Sequence, residues 1–473
     1  MTDRIPKSVL IGGAILAPPI LGYLAYSRPV YFTSQTYLGG LLLFEFLFLA
    51  IWMYREIFFP LILMAFLFAG SNLPVGSMWT QVRWLFLGVG AAVGCVIMLK
   101  DRGYHFGLFH AFALFAAMAA LVSSAVSRYP GFALLKAVSL LLVFVYGATG
   151  ARLAMRGREL RFFTGLLTGW EAFVGAIAFG HLFGVEAMGN PNSLGAVMGV
   201  GAPILLWGTL LSEKSSTRYR RLVLFAICLY LTFNSHARAG IAAEIISCGM
   251  LLLALRKYRM LAEGLSIIVV LVAAVGIFQP EAFSNTVSSV TSSVVYKSKN
   301  PEVSLLASRE APWHAATETI RNHFWFGTGF GTTDNGRDAS QLLNNFSSVE
   351  GVTAENGSSY LAILTWVGVL GAVPFLLTLC VLLGNVARTV SWMWKTGNPA
   401  HPAIPLAMVM IAGLVHAGFE DWLFAPGYYL CVFFWSMAFV FVDVTPAVAL
   451  PQLSFAWRPQ PLRQELGGIA PSR

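Results

Sequence analysis

The residues able to do chemistry in this 473-residue chain gather in and around one polar interruption, from about Glu281 to Asn356. It carries Ser308-Arg309-Glu310-Ala311-Pro312-Trp313, then Phe326-Gly327-Thr328-Gly329-Phe330-Gly331, then Ala354-Glu355-Asn356-Gly357. An arginine such as Arg309 suits an anion, because the planar guanidinium fork matches phosphate or carboxylate oxygens. Glu355 stands just before the helix expected from Ser358 onward, where a carboxylate caps a helix through its dipole. It can equally serve as a general base toward a hydroxyl nucleophile, with Asn356 orienting substrate or base. Other polar candidates stand at the ends of apolar runs. These are Arg128 before Tyr129-Pro130, Lys136 two turns into the next helix, His236 and Arg238 in the turn Asn234–Gly240, and Glu420-Asp421 after His416. A cation inside a span is costly unless it pairs or faces a polar cavity, which marks Lys136 as a functional candidate. The plainer alternatives are an ion pair with Glu171 or Glu244, or snorkelling to headgroups. Glu420 and Asp421 either counter the arginines or cap helices.

The elements that must position these groups are membrane helices. Hydrophobic residues make up 57% of the chain, charged residues 11%, and mean hydropathy is +0.70, which excludes a soluble globular class. Apolar runs near the ~20 residues needed to cross a bilayer recur along the chain. The spans are expected at 8–26, 37–54, 57–71, 84–100, 108–125, 132–152, 162–182, 193–212, 222–234, 240–256, 262–279, 358–387, 402–418 and 425–443. The shortest, 57–71 and 222–234, could be re-entrant, giving 12 to 14 crossings. A lipid-exposed backbone must satisfy its own hydrogen bonds, and alternating ten-residue barrel segments are absent, so the fold class is all-α and polytopic. Four regions follow: N-terminal helices (1–279), a large extramembranous loop with short helices (280–357), C-terminal helices (358–443) and a Pro-rich basic tail (444–473).

A net charge of +9 raises the question of nucleic acid, but its distribution answers it. Lys and Arg crowd alternate short loops, as in Arg152, Arg156, Arg158 and Arg161, or Lys214, Arg218, Arg220 and Arg221. The intervening loops hold lone arginines. That is the positive-inside pattern, with both termini cytoplasmic and the 280–356 loop on the outer face. The charge is topological rather than a nucleic-acid footprint. All five cysteines fall within expected spans without a CxxC, so neither a disulfide framework nor a metal cluster is indicated. The first apolar run lacks a small-residue cleavage site and reads as a retained anchor. No internal repeat is visible, which weakens an inverted-repeat transporter.

Within the loop, Ser308 is a candidate N-cap and Pro312 fits a first turn, so 309–322 is expected to form a short helix. Arg309, Trp313, Ala316 and Ile320 then share one stripe facing the membrane domain, while His314, Glu318 and Arg321 form the solvated stripe. The GxG in 327–331 brings backbone close to a neighbour, but without a strand–turn–helix context it is weak evidence for a nucleotide site.

The order of motifs resembles the O-antigen ligase and polymerase superfamily over roughly residues 120–430. It runs Asn190-Pro191-Asn192-Ser193, Ser-x-Ala-Arg-Ala-Gly around Arg238, Ser-Arg-x-x-x-Trp at 308–313, and His-Phe-Trp-Phe-Gly-Thr-Gly-Phe-Gly at 323–331. Glu-Asn-Gly-x-x-Tyr-Leu and Gly-Val-Leu-Gly then follow. The resemblance implies a GT-C-type glycosyltransferase of the bacterial inner membrane, with its active site toward the periplasm. The implied donor is a glycan on undecaprenyl diphosphate and the acceptor a glycan or lipid A-core hydroxyl, with no cofactor, no metal and no nucleic acid. Chain-length regulators or flippases are the implied protein partners. By motif match Arg238 and Arg309 would hold the diphosphate, in a substrate-binding set with Arg128, Lys136, His236, Asn192, Trp313, Glu420 and Asp421. Ligases carry His-Asn where this chain has Glu355-Asn356, and a gapless register puts Gly357 at the histidine position. Either Glu355 is the base or the base lies elsewhere. Polysaccharide polymerisation is therefore the leading expectation. A ligase or protein O-oligosaccharyltransferase comes second, and a polysaccharide or lipid transporter is the alternative of another class.

Overall fold

The computed structural model describes residues 19, 22–23, 26–27, 45, 47–49, 55–70, 76–100, 105–184, 188, 190–278, 307–333 and 356–446. Every regular element among them is helical. In chain order these are α1 (Arg55–Ala69), α2 (Gly76–Lys100), α3 (Leu108–Ser124), α4 (Pro130–Tyr146, continuing through a π turn to Met155), α5 (Glu159–Leu182) and α6 (Pro191–Leu211). Then come α7 (Ser215–Asn234), α8 (Arg238–Ala254), α9 (Tyr258–Phe278), α10 (Ala307–Asn322), α11 (Ser359–Thr396), α12 (Ala403–Ala417) and α13 (Tyr429–Val444). Five of them (α2, α4, α5, α6 and α11) contain stretches long and apolar enough to cross a membrane. The chain is an all-α polytopic membrane protein.

The expected spans from 57 onward each coincide with one helix, whereas 8–26 and 37–54 fall almost wholly outside the described residues, as does the tail beyond Pro446. Two boundaries move for the same reason. Helix α2 begins at Gly76 rather than 84, and α7 at Ser215 rather than 222. Each continues through polar residues such as Gln81 or Arg218, since its backbone bonds internally whatever its side chains are. Helix α7 reaches 20 residues by adding the polar start Ser215–Arg221, and its apolar part remains short.

The centre of the bundle is built from α6, α12 and α13, whose residues are buried nearly throughout. Helices α5, α7 and α9 lie outside it and leave large apolar side chains uncovered, among them Phe179, Tyr230 and Ile267, as a lipid-facing surface does. Without a hydrophobic drive between helices in lipid, small residues let backbones approach. Gly195 and Gly199 of α6 meet Gly240 of α8 in this way: a Cβ on Gly240 would lie 2.5 Å from the Gly195 carbonyl oxygen. That crossing fixes the first turn of α8, and with it Arg238.

Helix α11 is broken at Gly368, whose φ of 66° and ψ of −177° belong to neither helix nor strand. A break inside a membrane helix strands backbone groups that lipid cannot satisfy. The stretch 324–329 supplies the missing partners. Thr328 N donates to Thr365 O at 2.9 Å and Gly329 N to Trp366 O at 3.0 Å. In return Val369 N donates to Phe324 O at 2.8 Å and Leu370 N to Trp325 O at 3.3 Å. Ser123 Oγ of α3 adds a bond to Trp366 O at 2.6 Å. The glycine-rich turn is thus a brace for a broken helix and not a phosphate cradle, which accounts for its close backbone approach.

At the opposite end of the bundle the basic loops are locked by ion pairs. Arg152 binds Asp443 at 2.6 Å, and Glu171 receives both Arg220 at 2.7 Å and Arg221 at 2.6 Å.

Candidate functional site

Several polar candidates converge at the end of the bundle where α6, α8, α11 and α13 begin and α12 ends. Helix α10 packs against α11 there. It starts two residues earlier than expected, so Ser308 lies inside its first turn instead of capping it. The stripe is oriented as its spacing requires: Ala316 is buried, Arg309, Trp313 and Ile320 are half-buried, and His314, Glu318 and Arg321 are exposed. Trp313 Nε1 anchors the helix by donating to Gly357 O at 3.1 Å.

Arg309 makes an ion pair with Glu420, its Nη2 donating to Oε1. It also lies within Coulombic reach of Arg238 at the start of α8 and of His416 at the end of α12. Two arginines from segments some seventy positions apart thus share one electrostatic environment. The turn carrying Glu420 is held to α11, because Ser359 N and Oγ both donate to the Glu420 carbonyl, at 3.0 and 2.6 Å. The Asp421 carboxylate accepts from Asn356 N at 3.0 Å and lies within Coulombic reach of Lys136. Asn356 is itself buried, and its Oδ1 accepts from Thr365 Oγ1 at 3.3 Å. Asn356 and Thr333 line the same small void of about 30 Å3. Glu355 lies outside the described residues.

Beside this cluster opens a cavity of about 410 Å3. Asn190, Asn192 and Ser193 from the start of α6 form one wall, and His416, Glu420, Asp421, Trp422 and Tyr428 form the other. The start of α6 is pre-shaped by Asn190, whose side chain accepts from Asn192 N at 2.9 Å ahead of Pro191. An indole N–H can only donate, so the 2.7 Å bond from Trp422 Nε1 makes His416 Nδ1 the acceptor and leaves the ring proton on Nε2. Tyr428 donates to Ser193 Oγ at 3.2 Å. Burial pushes its phenol above the ordinary value, so it remains a donor at neutral pH.

Some expectations fail here. Lys136 pairs with neither Glu171, which is taken by Arg220 and Arg221, nor Glu244; its Nζ donates to Gly331 O at 2.6 Å. A carbonyl on the brace accepts the hydrogen bond, and the Asp421 carboxylate acts on the cation through space. Arg128 is exposed over the Tyr129 ring, 6.0 Å from its centroid, and does not line the cavity. His416, Trp422 and Tyr428 were not singled out as binding residues, although the polar turn 418–428 between two apolar helices was the available signal.

His236 joins α7 to α8 in a left-handed conformation, with φ of 54°. That conformation costs a non-glycine residue about 1–2 kcal/mol. His236→Gly is expected to raise the melting temperature by a few degrees. If the exposed imidazole also meets substrate, turnover falls in the same variant. Differential scanning fluorimetry beside an activity assay separates the two signs.

Among the described residues, no group of three or more His, Cys, Asp or Glu converges as a metal site would require. The five cysteines are free; Cys380 is exposed on α11, so packing does not account for it as it does for buried Cys228, Cys248 and Cys431.

Residues 222–376 match the family model described as O-Antigen ligase. The matched segment runs from α7 into α11 and contains Arg238, Arg309 and Asn356. It supports the O-antigen ligase and polymerase superfamily that the motif order resembles. A search of curated proteins gave no match.

Proposed function

We propose that this chain is a membrane glycosyltransferase moving a glycan from undecaprenyl diphosphate to an acceptor hydroxyl at the periplasmic face of the inner membrane. Its leading task in this reading is polymerisation of surface-polysaccharide repeat units. One observation carries the reading: Arg238 and Arg309 stand within Coulombic reach of each other beside a polar cavity. Arg309 already shares its charge with Glu420, and an anion with several oxygens adds charge-assisted bonds to both guanidiniums. In the proposed step the acceptor oxygen attacks the anomeric carbon, and its proton passes to the base, for which Glu355 is the candidate. The bond from the anomeric carbon to the diphosphate oxygen breaks, and the arginines neutralise the charge on the departing lipid diphosphate. The Asn356 amide, fixed by Asp421 and Thr365, holds the chain immediately after Glu355.

A second reading, single transfer to lipid A-core or to protein, is favoured by the description of the matched family model as O-Antigen ligase. The donor chemistry is the same. Reconstitution with a lipid-diphosphate oligosaccharide and a choice of acceptors separates the readings. A ladder of product lengths is expected for a polymerase, and one product per acceptor for a ligase. Movement of intact lipid-linked glycan with no new glycosidic bond would overturn both in favour of transport. In the same assay Glu355→Gln is expected to be nearly inactive, and retained turnover transfers the role of base to another residue.

A further inference from the structure

The cavity between the start of α6 and the turn 418–428 has a chemistry different from that of the arginines beside it. Its walls supply side-chain amides (Asn190, Asn192), hydroxyls (Ser193, Tyr428), aromatic surface (Trp422, Tyr428) and the carboxylate of Asp421, and among the described residues no Lys or Arg lines it. The neighbouring cations are not on the lining: Arg309 pairs with Glu420, and Lys136 donates to the Gly331 carbonyl. Amides, hydroxyls and a carboxylate around an aromatic face match the alternating hydroxyls and C–H faces of a sugar ring. The volume of about 410 Å3 lies within the ~300–1,000 Å3 typical of small-molecule sites. An acidic sugar would bring its carboxylate against Asp421 with no cation among the described lining residues to receive it, and specificity is often built from such repulsion.

We propose that this cavity is a saccharide subsite that takes an uncharged sugar, a hexose or N-acetylhexosamine unit, and rejects uronic acids. The assignment rests on the glycosyltransferase reading and narrows its substrate class. The sugar comes either from the donor, next to its diphosphate, or from the acceptor. Both sources present the same hydroxyl chemistry to these walls.

The test uses the full chain in lipid nanodiscs and saturation-transfer difference NMR with cellobiose, N,N′-diacetylchitobiose and cellobiouronic acid. The neutral disaccharides are expected to give saturable signals, and the uronate to bind at least about tenfold more weakly, as an unpaired charge implies. Asn192→Ala should weaken the neutral ligands several-fold, roughly the loss of one or two hydrogen bonds. Asp421→Asn should narrow the gap between neutral and acidic sugars. Equal binding of the uronate, or neutral binding unchanged in Asn192→Ala, overturns the proposal. Tyr428→Phe gives a second variant if Asn192→Ala fails to fold. Farnesyl diphosphate, titrated separately, reports on the arginines. Binding of it without any saccharide sinks the subsite and leaves the glycosyltransferase reading standing, whereas saccharide binding without it does the reverse. A lipid-diphosphate-linked disaccharide that competes with cellobiose assigns the subsite to the donor, and one that binds additively assigns it to the acceptor; both results support the subsite.

Discussion

Arg309→Ala and Arg238→Ala are each expected to reduce glycan transfer by about a hundredfold to a thousandfold, the usual loss when one donor to a developing anion is removed. The folded state should survive both changes. Arg238 is half-buried at the first residue of α8, and Arg309 is bound to a carboxylate on a turn that Ser359 also holds. Arg309→Ala does leave the half-buried Glu420 without that partner, so a small fall in melting temperature is expected for it alone. Combining it with Glu420→Gln should restore stability and not turnover. If stability and transfer recover together, the ion pair is structural and the diphosphate role fails. Lysine at either position should rescue only partly, because an ammonium cannot present two parallel N–H groups to a phosphate.

Gly368→Ala should be a strongly damaging single-methyl change. The φ and ψ at Gly368 fall in a region open almost only to glycine, and a Cβ there would lie 2.4 Å from the Trp325 carbonyl. Relieving the clash means pulling 324–329 off the break in α11, which forfeits the bonds at Thr365, Trp366, Val369 and Leu370. A cost of about 3 kcal/mol or more is expected, from backbone strain of ~1–3 kcal/mol plus stranded amides in lipid. Gly384→Ala on the same helix meets nothing within 4 Å and should be neutral or slightly stabilising. Melting temperatures of the two purified variants decide the matter, and similar values would overturn the account of the brace.

Much of the architecture was legible because a bilayer leaves so few solutions. Apolar runs had to be helices, and the alternation of basic loops placed 280–356 and the turn before Gly240 on the same side. The stripe Arg309, Trp313, Ala316 and Ile320 was readable from 3.6-residue spacing alone, and α10 presents that face to its neighbours. What could not be read was long-range or dihedral. Nothing in the unbroken hydropathy of 358–387 announces a break at Gly368. The partner of Lys136 was sought among carboxylates and turned out to be a carbonyl nearly two hundred positions away. The pairing of Arg309 with Glu420 joins α10 to the turn after α12, and only assembled helices bring those together. Proximity of the arginines to an aromatic and amide-lined cavity is likewise a product of packing, since Tyr428 and Asn192 belong to no common motif.

The small void shared by Thr333 and Asn356 sets the two residues side by side. Thr333 and Asn356 are neighbouring points on a frame already clamped by the brace, by Trp313 and by Asp421. A chain whose two ends are pinned side by side can lengthen, shorten or change sequence at little expense to the bundle, about 0.6 kcal/mol of closure entropy per doubling. Chimeras that change the length of chain between Thr333 and Asn356 are therefore expected to keep the melting temperature of the bundle.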